Sequence, residues 1–289
     1  MYPAELLNLF PPFPKTNMVF VAMSFDPKFM PRWTNVLCSA VHKVVFKDKE
    51  LFPHRVDLSK KNDSVITEIV KNISECCLFI GDVSTIVYLF IEGEQGKPIR
   101  NSNVLYEVGL AHACRLPEEV ILLRSDNDVL DFDIAGVRVH SYDPDNVETS
   151  IEMVADLIVQ ALSSVDDRKR ILVENTTKLL DAEMFSLLHE TKDIPQPIFR
   201  TMLDVPPIAE RISAINRMLG LGLLQTIFNE LTPEIIKGPF HGLLSYRITS
   251  FGKAVLGRIK QKTDSVHALS VFAGSEDGKE WLAKQSKEK

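Results

Sequence analysis

No cysteine pair in these 289 residues stands at C-x-x-C spacing, and Cys38, Cys76, Cys77 and Cys114 all fall inside helix-like or strand-like runs. That excludes a zinc ribbon or a disulfide framework; the four read as buried thiols of a reduced, cytoplasmic protein. No apolar run approaches the roughly 18 residues that a membrane span needs, so no membrane partner is expected. The opening Met1-Tyr-Pro-Ala-Glu5 has no basic region and is followed by Pro11, Pro12 and Pro14, which argues against a signal peptide. There is no Cys/His cluster, no phosphate-cradling glycine loop and no Ser-His-Asp arrangement, so neither a metal nor a resident cofactor is expected. Basic charge is short as well. The net charge of −6 argues against wholesale nucleic-acid binding.

The charge is unevenly spread. Residues 1–165 carry 15 basic and 23 acidic side chains, net −8, whereas the remainder carries 18 and 16, net +2. Two domains with different tasks are expected, residues 1–165 and 166–289. From Met18 to Ser163 short apolar runs alternate with helical periods, the grammar of βα units and a parallel sheet. Strands are expected at Val19–Met23, Pro53–Asp57, Cys76–Asp82, Glu119–Arg124 and Gly136–His140, with helices at Pro31–Val45, behind Ser64, around Glu107 and at Val147–Leu162. The predicted fold class is α/β, a flavodoxin-like five-stranded parallel sheet. Thr85–Arg100 inserts Tyr88-Leu-Phe-Ile91 and a polar, glycine-containing stretch before the Glu107 helix; a lid, a surface excursion and an oligomer contact are all open readings.

After Ser163 the strand alternation stops. Val165-Asp-Asp-Arg-Lys-Arg170 reads as a charged crossover, followed by helical Ile171–Leu188, an amphipathic helix Ile208–Leu219, a ribbon closing at Leu243–Ile248 and a helix from Thr249 or Ser250 to Ile259. That is a winged-helix order, an α+β domain with a polar tail beyond Ala273. Arg211, Ser213, Asn216 and Arg217 lie on polar positions of the amphipathic helix, and Tyr246 and Arg247 at the wing, all types that reach phosphates or base edges. A protein docking module is the other reading of the same domain.

The most informative stretch is Asn103-Val-Leu-Tyr-Glu107-Val-Gly109-Leu-Ala111-His112, which puts a carboxylate in the first turn of a helix at the carboxyl edge of the sheet. A carboxylate there is expected to stay ionised at neutral pH, held by the helix dipole and free amides. An ionised carboxylate can attack or support an oxocarbenium-like sugar carbon. The bland alternative is an acid that only complements the dipole. Asp82 and Ser84 can bind a ribose hydroxyl or simply form a turn. Arg55 and Asp57 can meet a phosphate or form a surface ion pair. Ser24 and Phe25 can line a sugar pocket, and Asn103 can bond a ligand or cap the helix. His112 has no i+4 histidine, so it is not expected to bind metal.

Val19-Phe-Val-Ala-Met-Ser-Phe25, Arg55-Val-Asp57, Ile80-Gly-Asp-Val-Ser84, Asn103 to His112 and Asp131-Phe-Asp133, in that order, resemble the nucleoside 2-deoxyribosyltransferase-like branch of the wider TIR-like superfamily. The resemblance covers roughly residues 17–163. It implies cleavage of the N-glycosidic bond of nucleosides, nucleotides or NAD as substrate, with the family's nucleophile carried onto Glu107. Two positions depart from the family. Met23, Ser24 and Phe25 stand where the transferases have a tyrosine near the end of the first strand, and neutral Asn101 stands where they have a base-binding aspartate. Asn101 can bond a base but cannot share a proton with it, which favours hydrolysis of a substrate whose leaving group is already cationic over base exchange. The pairing with a winged helix resembles bacterial toxin or antiphage effectors. It implies a nucleotide-destroying domain restrained until triggered, a regulatory partner or nucleic acid on the winged helix, and self-association as the switch. Two other readings stand beside it, a nucleotide-sensing DNA-binding regulator without turnover and a nucleoside salvage transferase.

Overall fold

The computed structural model describes residues 9–11, 15–56, 65–90, 96–130, 132–192, 196–197, 208–228 and 244–261. The chain divides into two compact units, residues 1–169 and 170–289. In the first, strands β1 (Met18–Ala22), β2 (Val45–Phe46), β3 (Lys49–Glu50), β4 (Phe52–His54), β5 (Leu78–Asp82), β6 (Thr85–Leu89), β7 (Lys97–Arg100), β8 (Val120–Arg124) and β9 (Val139–Ser141) alternate with helices α1 (Cys38–Lys43), α2 (Val65–Glu75), α3 (Ser102–Cys114), α4 (Phe132–Ala135) and α5 (Val147–Thr177).

Strands β1 and β5 are buried at every position, the pattern of a parallel sheet covered on both faces. The main sheet runs in the order β4-β1-β5-β8-β9 with all neighbours parallel. Counting only its own strands, that is the order 2-1-3-4-5 of a flavodoxin-like sheet. The direction of winding therefore reverses between β1 and β5, where open α/β sheets form a crevice at their carboxyl ends.

Successive residues of β1 feed opposite cores. Val19 and Val21 pack with Trp33, Val36 and Leu37 of the π-helical turn that leads into α1, and with Val154 and Ile158 of α5. Phe20 and Ala22 pack with Ile73 of α2, Val104, Val108 and Ala111 of α3 and Ile134 of α4. Phe20 and Phe79 stack at 5.7 Å across β1 and β5. The approach of α3 to β5 is close, because a Cβ on Gly81 would lie 2.8 Å from Val108 Cγ2. Only glycine there lets the helix sit this near the end of β5.

Several boundaries differ from those expected. The charged run Val165–Arg170 is not a crossover but the middle of α5, one helix from Val147 to Thr177. It contains neither Gly nor Pro, and Asp, Arg and Lys do not break the helical hydrogen bonds. The fold changes units inside this helix, four residues later than expected. Within Thr85–Arg100, β6 and β7 pair as an antiparallel ribbon. The fifth strand begins at Val139 instead of Gly136, because the short helix α4 precedes it. The helical run after 170 breaks at 178–181, where Asp181 caps a new helix by accepting from the Met184 amide at 2.8 Å.

The second unit contains α6 (Ala182–Glu190), β10 (Gln196–Pro197), α7 (Ile208–Gly220), β11 (Leu224–Phe228), β12 (Leu244–Ile248) and a helix over 250–261. The expected two-stranded ribbon gains a short third member, giving the antiparallel order β10-β12-β11. Leu187, Leu188, Ile215, Met218, Leu224 and Val255 are among its buried residues. The expected tail beyond Ala273 lies outside the described residues. Gly252 is pressed against backbone, since a Cβ on it would lie 2.3 Å from the Leu223 carbonyl oxygen. Gly252→Ala is expected to cost this unit about 1–3 kcal/mol, read as a lower urea midpoint. An unchanged midpoint would show that β11 can yield.

Candidate active site

Asn101 starts the site by ending the loop. Its side-chain oxygen accepts from the amides of Asn103 at 3.0 Å and Val104 at 3.4 Å, so α3 begins at Ser102. The residue expected to meet a base is thus the N-cap, and Asn103 is exposed on the first turn. Glu107 is the sixth residue of α3, one turn deeper than expected. It flanks the buried stripe Val104, Val108 and Ala111, and the Val108–Gly81 contact puts it level with the carboxyl end of β5.

Depth changes its chemistry. Past the first turn the helix amides are bonded to helix carbonyls, so they cannot stabilise the carboxylate as expected. Glu107 is 9% exposed, and among the described residues it has no hydrogen bond or ion pair. Burial alone pushes its pKa up to about 7, in place of the fully ionised state expected. Burial also lowers the pKa of His112. Among the described residues no group of three or more His, Cys, Asp or Glu side chains could hold a metal.

The other expected residues divide into two sets. Ser24 and Phe25 follow β1, and Arg55 follows β4, next to it in the sheet; Asp57 lies outside the described residues. Ser24 Oγ accepts from the Asp26 amide at 3.3 Å. Phe25 is half exposed, and its ring covers the Arg55 guanidinium at 5.0 Å. Arg55 is 2% exposed, lies 4.9 Å from the Trp33 ring and donates to Met30 Sδ at 3.5 Å. A guanidinium packed this way is an internal cation more than a phosphate hook.

Asp82 and Ser84 close on each other. Asp82 Oδ1 accepts from the Ser84 amide at 3.0 Å and from Ser84 Oγ, while Oδ2 accepts from Tyr142 Oη at 2.8 Å and lies 3.9 Å from Arg32. Ser84 Oγ accepts in turn from the Ser125 amide at 2.9 Å. The turn-forming reading of this pair is the one seen, extended into a buried network. Burial and the Asp82 charge raise the pKa of Tyr142, so the phenol remains a donor. Sequence reasoning missed Tyr142 and Arg32. Tyr142 reaches Asp82 from 60 residues away, and only the sheet order β5-β8-β9 joins them.

The β6–β7 ribbon is rooted beside this network. Arg100 donates to the Val83 carbonyl and to Asp126 Oδ1 at 3.1 Å; the Thr85 amide donates to Asp126 Oδ2 at 2.8 Å. Burial acts upward on the Asp126 pKa, but the Thr85 amide and Arg100 outweigh it and the net shift is downward. Tyr88 Oη and Thr85 Oγ1 both donate to Asp128, at 2.8 and 2.7 Å. Beyond this root Val87, Leu89 and Phe90 are exposed.

The second unit spends its expected nucleic-acid contacts internally. Arg211 pairs with Glu190 at 2.6 Å and Glu183 at 3.4 Å, and Arg217 pairs with Asp181. Tyr246 is buried in the middle of β12, 3.4 Å from Arg211 Nη2, instead of lying on a wing. Asn216 and Arg247 are exposed, Arg247 facing Gln225 across the ribbon.

No protein-family model matches the chain, and no curated protein matches it in sequence. Among solved structures it is similar to a 2-desoxiribosyltransferase from Leishmania mexicana, at 16% identity over 50% of this chain and 98% of that one, TM-score 0.31. It is also similar to a flavodiiron core from Synechocystis, at 11% identity over 52% of this chain and 36% of that one, TM-score 0.32. The α/β flavodoxin-like class rests on the strand order itself.

Proposed function

We propose that the first unit is an N-glycosidase that cleaves the base–ribose bond of NAD or a related nucleotide or nucleoside, with Glu107 as nucleophile. The observation that carries this reading is Glu107 itself, a carboxylate on a largely buried residue, without a partner among the described residues and level with the end of β5. Evolution gains no stability from such a group, and unpaired buried carboxylates cluster where chemistry uses them. In the reaction a Glu107 oxygen bonds to the anomeric carbon as the bond to the base nitrogen breaks, and the base leaves with that electron pair. Water then attacks the same carbon and frees Glu107. A pyridinium base leaves neutral and needs no proton from the protein. That suits a chain whose Asn101 is occupied as a helix cap.

A nucleophile must be ionised. With its pKa near 7, base release is expected to rise with pH through about 7 and level off above it. A profile that falls over the same range would make Glu107 a general acid instead.

The second unit supplies regulation in this proposal, through a winged-helix-like surface that includes Asn216 and Arg247 and docks a protein or nucleic-acid partner. The β10-β12-β11 order and its flanking helices support it. The DNA-binding regulator is less favoured, because Arg211 and Arg217 each already face an acidic partner on this chain. A toxin or antiphage effector with self-association as its switch remains the physiological proposal. Expression of the wild-type chain should slow growth and Glu107→Gln should relieve it; equal growth with both would remove the toxin role.

A further inference from the structure

A cleft of about 410 Å³ opens at the carboxyl ends of β8 and β9 against the first turns of α5. That size is in the range of small-molecule sites. It is distinct from the Glu107 region. Tyr142 and Met153, which line it, belong to the core on the α1/α5 face of the sheet, whereas α3 packs on the opposite face.

Its lining selects by charge. Among the described residues no Lys, Arg or His lines the cleft, and the two carboxylates that do are Asp126 and Asp143. Asp126 is already held by Arg100 and the Thr85 amide. Asp143 Oδ1 accepts from the Asp145 amide at 3.0 Å, and its second oxygen has no partner among the described residues. A phosphate or carboxylate ligand would meet two carboxylates and, among the described lining residues, no cationic side chain.

The same lining is rich in uncommitted neutral groups. The side chains of Asn127, Ser141, Asn146 and Thr149 are on exposed residues and make no hydrogen bond among the described residues. Hydroxyls and amides each donate and accept, as neighbouring hydroxyls on a sugar ring do. Met153 adds an apolar patch for the C–H face of such a ring. By contrast Ser150 Oγ is consumed by the Asp143 backbone, at 2.6 Å to its carbonyl oxygen, and so holds the cleft's shape. The Tyr142 hydroxyl is consumed by Asp82.

We propose that this cleft binds a neutral carbohydrate, a pentose or hexose ring presenting adjacent hydroxyls, at a site separate from Glu107. Tyr142 joins its wall to the Asp82 network at the end of β5, so an occupied cleft has a short path to the sheet edge. The proposal does not depend on Glu107 being catalytic.

The test uses the full chain in saturation-transfer difference NMR with D-ribose, D-glucose and myo-inositol, titrated to saturation, with inorganic phosphate as competitor. Saturable binding of at least one of the three is expected. It should weaken about tenfold or more in the Asn127→Ala/Thr149→Val double variant, which removes two neutral hydrogen-bonding groups. Binding should be unchanged in Glu107→Gln and insensitive to equimolar phosphate. A circular-dichroism melt of the double variant should match wild type, since neither side chain holds the fold. Absence of saturable binding for all three compounds would overturn the proposal. So would undiminished binding by the correctly folded double variant, or displacement by phosphate.

Discussion

Arg115→Met is expected to cost the first unit about 3–5 kcal/mol. Its guanidinium is 2% exposed and donates to the carbonyls of Ile73, Ser74, Cys76 and Cys77, at 3.3, 3.3, 2.6 and 2.9 Å. Those carbonyls end α2 and lead into β5, where no further helix amide is available to meet them. Arg115 Nε also lies 3.2 Å from Glu119 Oε2, which accepts from the Leu116 amide at 3.1 Å, while Glu119 Oε1 accepts from Lys15. Methionine fills most of the volume but takes the guanidinium from four carbonyls, of which Ile73 keeps the Cys76 thiol as a donor, and takes from Glu119 its Arg115 partner. Urea unfolding reads the loss directly, and Arg115→Met/Glu119→Leu should recover part of it. A single-variant loss below about 1 kcal/mol would mean that water enters and replaces the clamp.

Glu107→Gln should do the opposite at alkaline pH. An acid whose pKa is raised from 4.5 unfolded to about 7 folded binds its proton more tightly in the native state. Wild-type stability therefore falls as pH rises from about 4.5 to about 7, and the loss is complete above that. Glutamine carries no such burden. The variant should melt with wild type below pH 4.5 and above it by on the order of 5 °C at pH 8. Calorimetry at pH 4 and pH 8 decides the matter. A variant less stable than wild type at pH 8 would show that the ionised carboxylate has a partner in solution.

Some of this was legible in the sequence because it is local. The apolar runs of β1, β5 and β8 announce a sheet covered on both faces, and the run from Asn103 announces a helix, although its cap is Asn101 and not Asn103. Glu107 could be picked out, but not its depth, because a one-turn shift of the helix start decides whether its amides are free. What stayed hidden depends on pairings far apart in sequence. Tyr142 meets Asp82, Arg100 meets Asp126, and Arg115 gathers carbonyls 38 to 42 residues earlier. The charged middle of α5 misled for a different reason. Asp166 to Arg170 look like a linker by composition, yet they are helix-compatible residues with no breaker among them. In the second unit, the arginines on α7 carry the right types for phosphate, but Glu183, Glu190 and Asp181 from α6 and its cap reach them first.

The central claim is that Glu107 breaks an N-glycosidic bond. Purified wild-type and Glu107→Gln chains should be incubated at pH 8 with NAD and a panel of nucleosides and nucleotides, at low and high protein concentration, and free base followed by chromatography. The account predicts base from at least one substrate with wild type and none above background with Glu107→Gln, although the variant is folded. Equal release by both chains, or no release by wild type at any concentration, would contradict it.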